Sequence, residues 1–246
     1  PKRVNFVNNN KESTPTLNNP SGMRIQKILA QNGVGSRREI EKAIIEKRIS
    51  VNNILAELGQ SVSASDIITF DGRLVKLNSA KILPRILIYN KPEGEIVSEN
   101  DPKGRPTVFD HLPKIKNSKW ISIGRLDFNT SGLLIFTTYG DFANRLMHPR
   151  YEIEREYSVR VLGKLTEDQL SQLTSGIKLE DGLAKFESIK FKGGEGSNHW
   201  YQVTLKEGRN REVRRLFQFF SITVSRLMRI RFGTITLPSN LKKRSY

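Results

Sequence analysis

Apolar positions along this chain change their period several times, and each change marks an element. From Met23, Ile25, Ile28 and Leu29 recur at helical spacing, and Gly33-Val34-Gly35 closes that helix. Ser36-Arg37-Arg38-Glu39 reads as a capping box, with the serine oxygen taking a free backbone N–H and the glutamate bonding back to the serine amide. It opens a second helix with Ile40, Ala43, Ile44 and Ile45 on its apolar face and Arg37, Arg38, Lys42, Lys47 and Arg48 largely elsewhere. Short strands follow at Ile49–Val51 and Ile67–Phe70, and Asp71-Gly72 makes a two-residue hairpin turn into Arg73–Lys76.

A second pattern begins after a linker at Asn78–Pro84. Ile86-Leu87-Ile88-Tyr89 is a predicted strand running into Asn90-Lys91-Pro92, and the polar stretch Glu93–Pro113 is a loop expected to touch a ligand. Ile121-Ser122-Ile123 ends a strand, Gly124–Gly132 forms a tight turn, and Leu133-Leu134-Ile135-Phe136 is a buried strand. Tyr139–His148 is a helix with Phe142, Leu146 and Met147 inward. Glu154–Leu162 alternates, with Tyr157, Val159 and Val161 on one side, as a half-buried strand does. Thr166-Glu167-Asp168-Gln169 is another capping box, opening a helix to Gly176. Strands at Lys185–Phe191 and Trp200–Lys206 flank the cluster Gly193-Gly194-Glu195-Gly196, which lacks the Lys-Ser/Thr of a phosphate loop and reads as a hairpin loop. Val213, Leu216, Phe217 and Phe220 then mark the buried stripe of a helix that crowds Arg211, Arg214 and Arg215 onto its other faces. Arg226, Arg229 and Arg231 alternate along the last strand region, Val224–Leu237, and charge concentrated this way reads as a track for a phosphate backbone.

Composition narrows the partner. The 246 residues carry a net charge of +16, an excess that calls for a polyanion, nucleic acid before an anionic membrane. No apolar run is long enough to cross a bilayer and no signal-peptide pattern opens the chain, so a cytoplasmic protein is expected. There is no cysteine, and the three histidines, His111, His148 and His199, have no ligand spacing, so no metal is expected. Residues 1–22, rich in Asn, Ser, Thr and Pro, bury too little to offset the entropy of ordering and read as a flexible arm.

The turn Gly124-Arg125-Leu126-Asp127-Phe128-Asn129-Thr130-Ser131-Gly132 presents one carboxylate between rigid strands. By residue type alone, Asp127 fits either a turn cap or a catalytic acid. Tyr157 fits either a core tyrosine or a stacking ring, and Arg214 either a phosphate contact or a partner for Asp127.

Resemblance adds to this reading. The turn resembles the active-site motif of the pseudouridine synthase family typified by the A-type enzyme of the small ribosomal subunit, whose aspartate is catalytic. The phrases Lys91-Pro92-Glu93-Gly94-Glu95, Asp101–Val108, Asn144-Arg145-Leu146-Met147-His148-Pro149 and Gly208–Leu216 are similar to those of its B-type large-subunit members. Arg24–Gly33, Gly35-Ser36-Arg37-Arg38 and Arg48-Ile49-Ser50-Val51-Asn52 resemble an S4 RNA-binding domain. The resemblance implies an α+β protein: an S4 domain over 23–80, then a catalytic domain over 85–238 with a mixed, mostly antiparallel sheet, and a basic tail over 239–246. It implies isomerisation of a uridine in large-subunit ribosomal RNA, free or in a pre-ribosomal particle, by a monomer without a cofactor.

Within that resemblance Asp127, Tyr157 and Arg214 are the catalytic group, with Arg214 paired to the carboxylate and Arg215 or Arg211 as fallbacks. Arg125, Leu227, Arg211 and Arg215 bind the substrate nucleotide. Arg24, Lys27, Ser36, Arg37, Arg38, Lys42 and Arg48 bind RNA through the S4 module. The carboxylate would attack C1′ or remove the C2′ proton, and a nearby guanidinium favours its charged form. The base must be flipped out of its stack for either step. Two alternatives stand beside this reading: a sibling synthase acting on another ribosomal uridine, and a non-catalytic S4-type RNA-binding factor.

Overall fold

The computed structural model describes residues 22–77, 84–116 and 118–246; the arm expected over 1–22 and the linker expected at 78–84 lie almost wholly outside them. The chain divides into two compact units, 1–80 and 81–246.

In the first unit, β1 (Met23–Arg24) leads directly into α1 (Ile25–Gln31), and α2 (Arg37–Ile45) follows after Gly33, which turns the chain with a φ of 74°. The capping box on α2 is formed: the Glu39 amide donates to Ser36 Oγ and the Ser36 amide to the Glu39 carboxylate. Four short strands, β2 (Ile49–Val51), β3 (Ile54–Leu55), β5 (Ile68–Phe70) and β6 (Arg73–Leu74), make a sheet in the order β3-β2-β5-β6, while β4 (Ser61–Val62) pairs with β1. Asp71 and Gly72 both take positive φ, 49° and 73°, the paired left-handed conformation that matches the twist of a two-residue hairpin. Ile25, Leu29, Ile40, Ala43, Ile44, Ile49, Val51 and Ile68 form its core.

The second unit is built on one mixed sheet. Its strands are β7 (Ile86–Lys91), β8 (Ile121–Ser122), β9 (Ser131–Thr137), β10 (Arg155–Leu162), β13 (Ser188–Glu195), β14 (Asn198–Leu205), β15 (Thr223–Phe232) and β16 (Ile235–Thr236). The central order is β13-β14-β10-β15-β9-β7, with β16 on β15 and β8 on β9. Every pairing is antiparallel except β15 with β9. Helices α3 (Gly140–Met147), α4 (Glu167–Ser175) and α5 (Glu212–Gln218) and the small hairpin β11 (Ile177–Leu179) and β12 (Gly182–Ala184) complete it.

The unbroken apolar run of β9 has a simple cause: all seven of its residues are buried, because both faces of the strand are covered. Leu134 and Phe136 pack with Tyr89, Val108, Trp120 and Leu126 on one face, and Leu133 and Ile135 pack with Ile123, Ala143 and Phe232 on the other. A larger core under β10, β14 and β15 takes Val159, Val161, Tyr201, Val203, Leu216 and Phe217.

The structure corrects two expectations and adds to a third. Gly193 and Gly194 do not form the hairpin loop; they lie inside β13 at a bulge, and the turn is Gly196-Ser197. Residues 239–246, expected as a basic tail, fold back onto the sheet: Arg244 N donates to Asn90 O and Asn90 N to Ser245 O, pairing this turn with β7. The arginines of β15 are not one phosphate-facing row. Arg229 is buried and donates to Leu133 O, and Arg231 is tied to Glu154 and Glu156, which leaves Arg226 exposed.

Candidate active site

The parallel step between β9 and β15 assembles the site. It sets Ser131 beside Met228 and Gly132 beside Arg229, so the turn that precedes β9 lies against the middle of β15. On the other side of β15, Tyr157 of β10 is in register with Arg229 and Val159 with Leu227. The result is a cleft of about 550 Å³, in the size range of small-ligand sites, lined by Arg125, Asp127, Tyr157, Arg211 and Leu227 among others. Those five of the catalytic and substrate-binding residues expected from sequence thus reach one cavity; Arg214 and Arg215 do not line it.

The turn that carries Asp127 is held at each of its carbonyls. Asp127 O accepts from the Thr130 amide at 3.0 Å and from Lys91 Nζ at 3.0 Å. Phe128 O accepts from the Gly94 amide at 2.8 Å, Asn129 O from Arg214 Nη2 at 2.8 Å, and Thr130 O from Lys91 Nζ at 2.7 Å. A turn whose backbone acceptors are all engaged has little freedom, so the half-buried Asp127 side chain is presented from a fixed base.

Lys91, which sequence reasoning did not assign, is the centre of this arrangement. It is fully buried and also bonds Pro92 O at 3.0 Å. Burial pushes its ammonium down to about 8, against the upward pull of Glu95 and Asp127. The available signal was a lysine at the end of the apolar strand Ile86–Tyr89, a position that the strand's own burial carries inside.

Arg214 works differently from the expected pair. Its guanidinium donates to Asn129 O and to Val224 O at 3.2 Å, and among the described residues no lysine or arginine forms an ion pair with the Asp127 carboxylate. Burial and neighbouring Arg211 lower the Arg214 pKa, while Asp127 and Glu93 raise it, so the two charges act on each other at a distance. Arg215 is drawn away by Asp181, which it grips with two bonds of 2.7 and 2.9 Å. That pair holds the Asp181 carboxyl at about 2. Arg211 stands before α5 with a φ of 50° and is exposed at the cleft, as is Arg125.

Tyr157 is half-buried, packs against two core clusters and also lines the cleft, so its two readings are compatible. Arg155, Glu207, Arg209, Glu212 and Arg229 also line the cavity. Arg155 and Arg229 both lie over the Phe232 ring, at 5.2 and 5.3 Å, and burial lowers the Arg155 pKa. Glu212 is buried beside them, its carboxyl raised by desolvation and its oxygen accepting from the Arg209 amide.

In the first unit Arg24, Arg37, Arg38, Lys42 and Arg48 are exposed, while Lys27 and Ser36 are partly covered. Arg48 is bound bidentately by Asp71, at 2.8 and 2.6 Å, and Arg24 donates to Gly59 O. Ser36 is occupied as the α2 cap.

Residues 85–219 match the family model described as RNA pseudouridylate synthase. The chain belongs to that family. Residues 23–68 match the S4 domain. Among curated relatives, "Ribosomal large subunit pseudouridine synthase B" of Pseudomonas aeruginosa is 54% identical over 229 residues, covering 92% of this chain and 59% of that protein. The protein of the same name in Escherichia coli (strain K12) is 54% identical over 223 residues, 89% of this chain and 77% of that one. The chain thus spans about three fifths of the first relative's length. A solved structure titled "Crystal structure of pseudouridylate synthase" superposes with a TM-score of 0.62 at 26% identity, over 91% of this chain and 94% of the other. Among the described residues no cluster of three or more metal-ligating side chains occurs, and no helix is long and apolar enough to cross a membrane.

Proposed function

We propose that this protein isomerises a uridine of large-subunit ribosomal RNA to pseudouridine, with Asp127 as the catalytic carboxylate. The observation that carries the reading is the Asp127 turn, fixed at all of its carbonyls and opening into a cleft lined by Arg125, Arg211, Tyr157 and Leu227. The names of the relatives supply the RNA.

In the reaction the N1–C1′ bond breaks, the base turns over, and C5 bonds to C1′ while C5 gives up its proton and N1 gains one. Nothing is oxidised or hydrolysed, so no cofactor is needed. Asp127 acts either on C1′ or on the C2′ proton. Tyr157 stacks on the extruded base, Leu227 packs beside it, and Arg125 and Arg211 hold flanking phosphates. Arg214 serves by fixing Asn129 and by its field. In the S4 module, exposed Arg37, Arg38 and Lys42 beside the start of α2 meet the RNA backbone, with Arg24, Lys27, Ser36 and Arg48 around them. The protein works as a cytoplasmic monomer on free rRNA or a pre-ribosomal particle.

A tritium-release assay on rRNA labelled at uridine C5 tests this. Release by the parent protein, its abolition in Asp127→Asn, and RNA affinity within about tenfold of the parent, or 1.4 kcal/mol, are expected. RNA binding with no release by the parent would instead make the protein a binding factor.

A further inference from the structure

The C-terminal turn reaches the catalytic turn through one short segment. Pro238 O accepts from the Leu241 amide and Lys242 O from the Ser245 amide, and Arg244 takes a left-handed φ of 64°. This fold-back places three backbone groups on one residue of β7. Asn90 bonds Arg244 N at 2.8 Å, Ser245 O at 3.0 Å and, through Nδ2, Leu241 O at 2.8 Å.

Five residues beyond Asn90, the same turn meets a buried acid. Arg244 Nε donates to Glu95 Oε1 at 2.8 Å. Glu95 is wholly shielded from solvent, and its other partners are the Tyr89 hydroxyl at 2.7 Å and His111 Nε2 at 3.3 Å. A buried carboxylate with such partners is strongly tied to them, because loss of one leaves charge uncompensated in a low-dielectric site.

Between Asn90 and Glu95 lie Lys91 and Gly94, which supply three of the hydrogen bonds that fix the turn 127–130. The segment that grips the catalytic turn is therefore itself gripped at both ends by residues 241–245. Lys91 is also sensitive to Glu95, whose charge supports its ammonium.

We propose that residues 238–245 form a clasp that positions the catalytic turn, with Arg244 and Glu95 as its positioning residues. Neither lines the cleft. Their effect runs through Asn90, Lys91 and Gly94 to the backbone of Asp127, Phe128 and Thr130. The part of this inference that concerns turnover rests on the isomerase reading above; the part that concerns the turn does not.

The test uses Arg244→Ala, Arg244→Lys and Glu95→Gln in the full chain, read by hydrogen exchange and by single-turnover tritium release. In Arg244→Ala, exchange over residues 126–131 is expected to speed about tenfold, as loss of one charge-assisted tie implies. Exchange in β13 and β14, at the far end of the sheet, stays as in the parent. The chemical rate falls by a similar factor while KM for RNA stays within twofold, and Arg244→Lys recovers most of both. Glu95→Gln weakens the same tie from its other end and speeds the same amides. Unchanged exchange at 126–131 overturns the clasp, and so does acceleration spread equally over β13 and β14, which would mark general destabilisation. A parent protein without tritium release refutes the isomerase reading and leaves the exchange result to decide the clasp.

Discussion

Lys91 Nζ donates to the backbone carbonyl of Asp127 at 3.0 Å, so the acid in the cleft is anchored through its own main chain by a cation that solvent does not reach. The same ammonium spends its other two protons on Pro92 O and Thr130 O. Three donors meet three acceptors, an inventory that only a protonated lysine fills.

Lys91→Met is therefore expected to cost about 3 kcal/mol of stability, since the carbonyls it served stay buried with a partner missing. The chemical rate should drop at least about a hundredfold, as misplacement by roughly 1 Å implies. Lys91→Arg should not restore it, because a planar guanidinium cannot supply three converging N–H groups from that volume. Calorimetric melting and single-turnover rates would check both; a variant with parental rate would remove Lys91 from this role.

The lowered pKa of Lys91 gives opposite pH trends for rate and stability. Unfolded, the amine keeps its proton to its ordinary value of 10.5; folded, it loses it near 8. Between those values the unfolded chain binds more protons, so this group's contribution raises stability as pH increases through the window. The neutral amine has only two donors for three carbonyls. The single-turnover rate should accordingly decline with an apparent pKa near 8, while chemical denaturation shows no matching loss of stability from this group. A flat rate between about pH 7 and 9 would contradict the assignment.

Gly132 sits where β9 meets β15, with a φ of 102° that side chains rarely adopt, and a Cβ there would collide with the backbone carbonyl of Arg229. Gly132→Ala is expected to destabilise the protein by more than about 3 kcal/mol, through both strain and forced separation of the strands. Because that strand step carries the Asp127 turn, residual folded protein should be inactive. Thermal melting with an activity assay on the soluble fraction reads both effects.

In the first unit, Arg37 and Arg38 stand exposed in the first turn of α2. Replacing either with Ala should weaken RNA binding similarly for unrelated sequences and reduce the slope of log K against log salt by about 0.7 to 0.9. Ser36→Ala, by contrast, should act on stability, costing about 1 kcal/mol through loss of the cap. Filter binding over a salt series separates these outcomes; an unchanged slope in the arginine variants would place the RNA elsewhere.

Much of this molecule was legible as pattern. The capping boxes at Ser36 and Thr166 form as read, the Asp71-Gly72 hairpin turns where expected, and the apolar run after the Asp127 turn is a strand buried on both faces. The caps and the hairpin turn depend on neighbours within four residues, where propensity and spacing act directly. Arginine roles were not legible in this way. Arg214, Arg215, Arg229 and Arg231 look alike in sequence, yet one holds a turn carbonyl, one meets Asp181, one is buried with its guanidinium on the Leu133 carbonyl and one joins two glutamates.

The sequence by itself determined the local elements, the basic character that calls for a polyanion, and the acidic turn at Asp127 with its family likeness. Only the tertiary structure decided that Lys91 lies beneath that turn, that Arg214 bonds Asn129 instead of the carboxylate, and that the last residues close onto Asn90 and Glu95. The reason is physical: a long cation bonds whichever acceptors the packed sheet brings within about 3 Å, and those acceptors come from strands far apart in the chain.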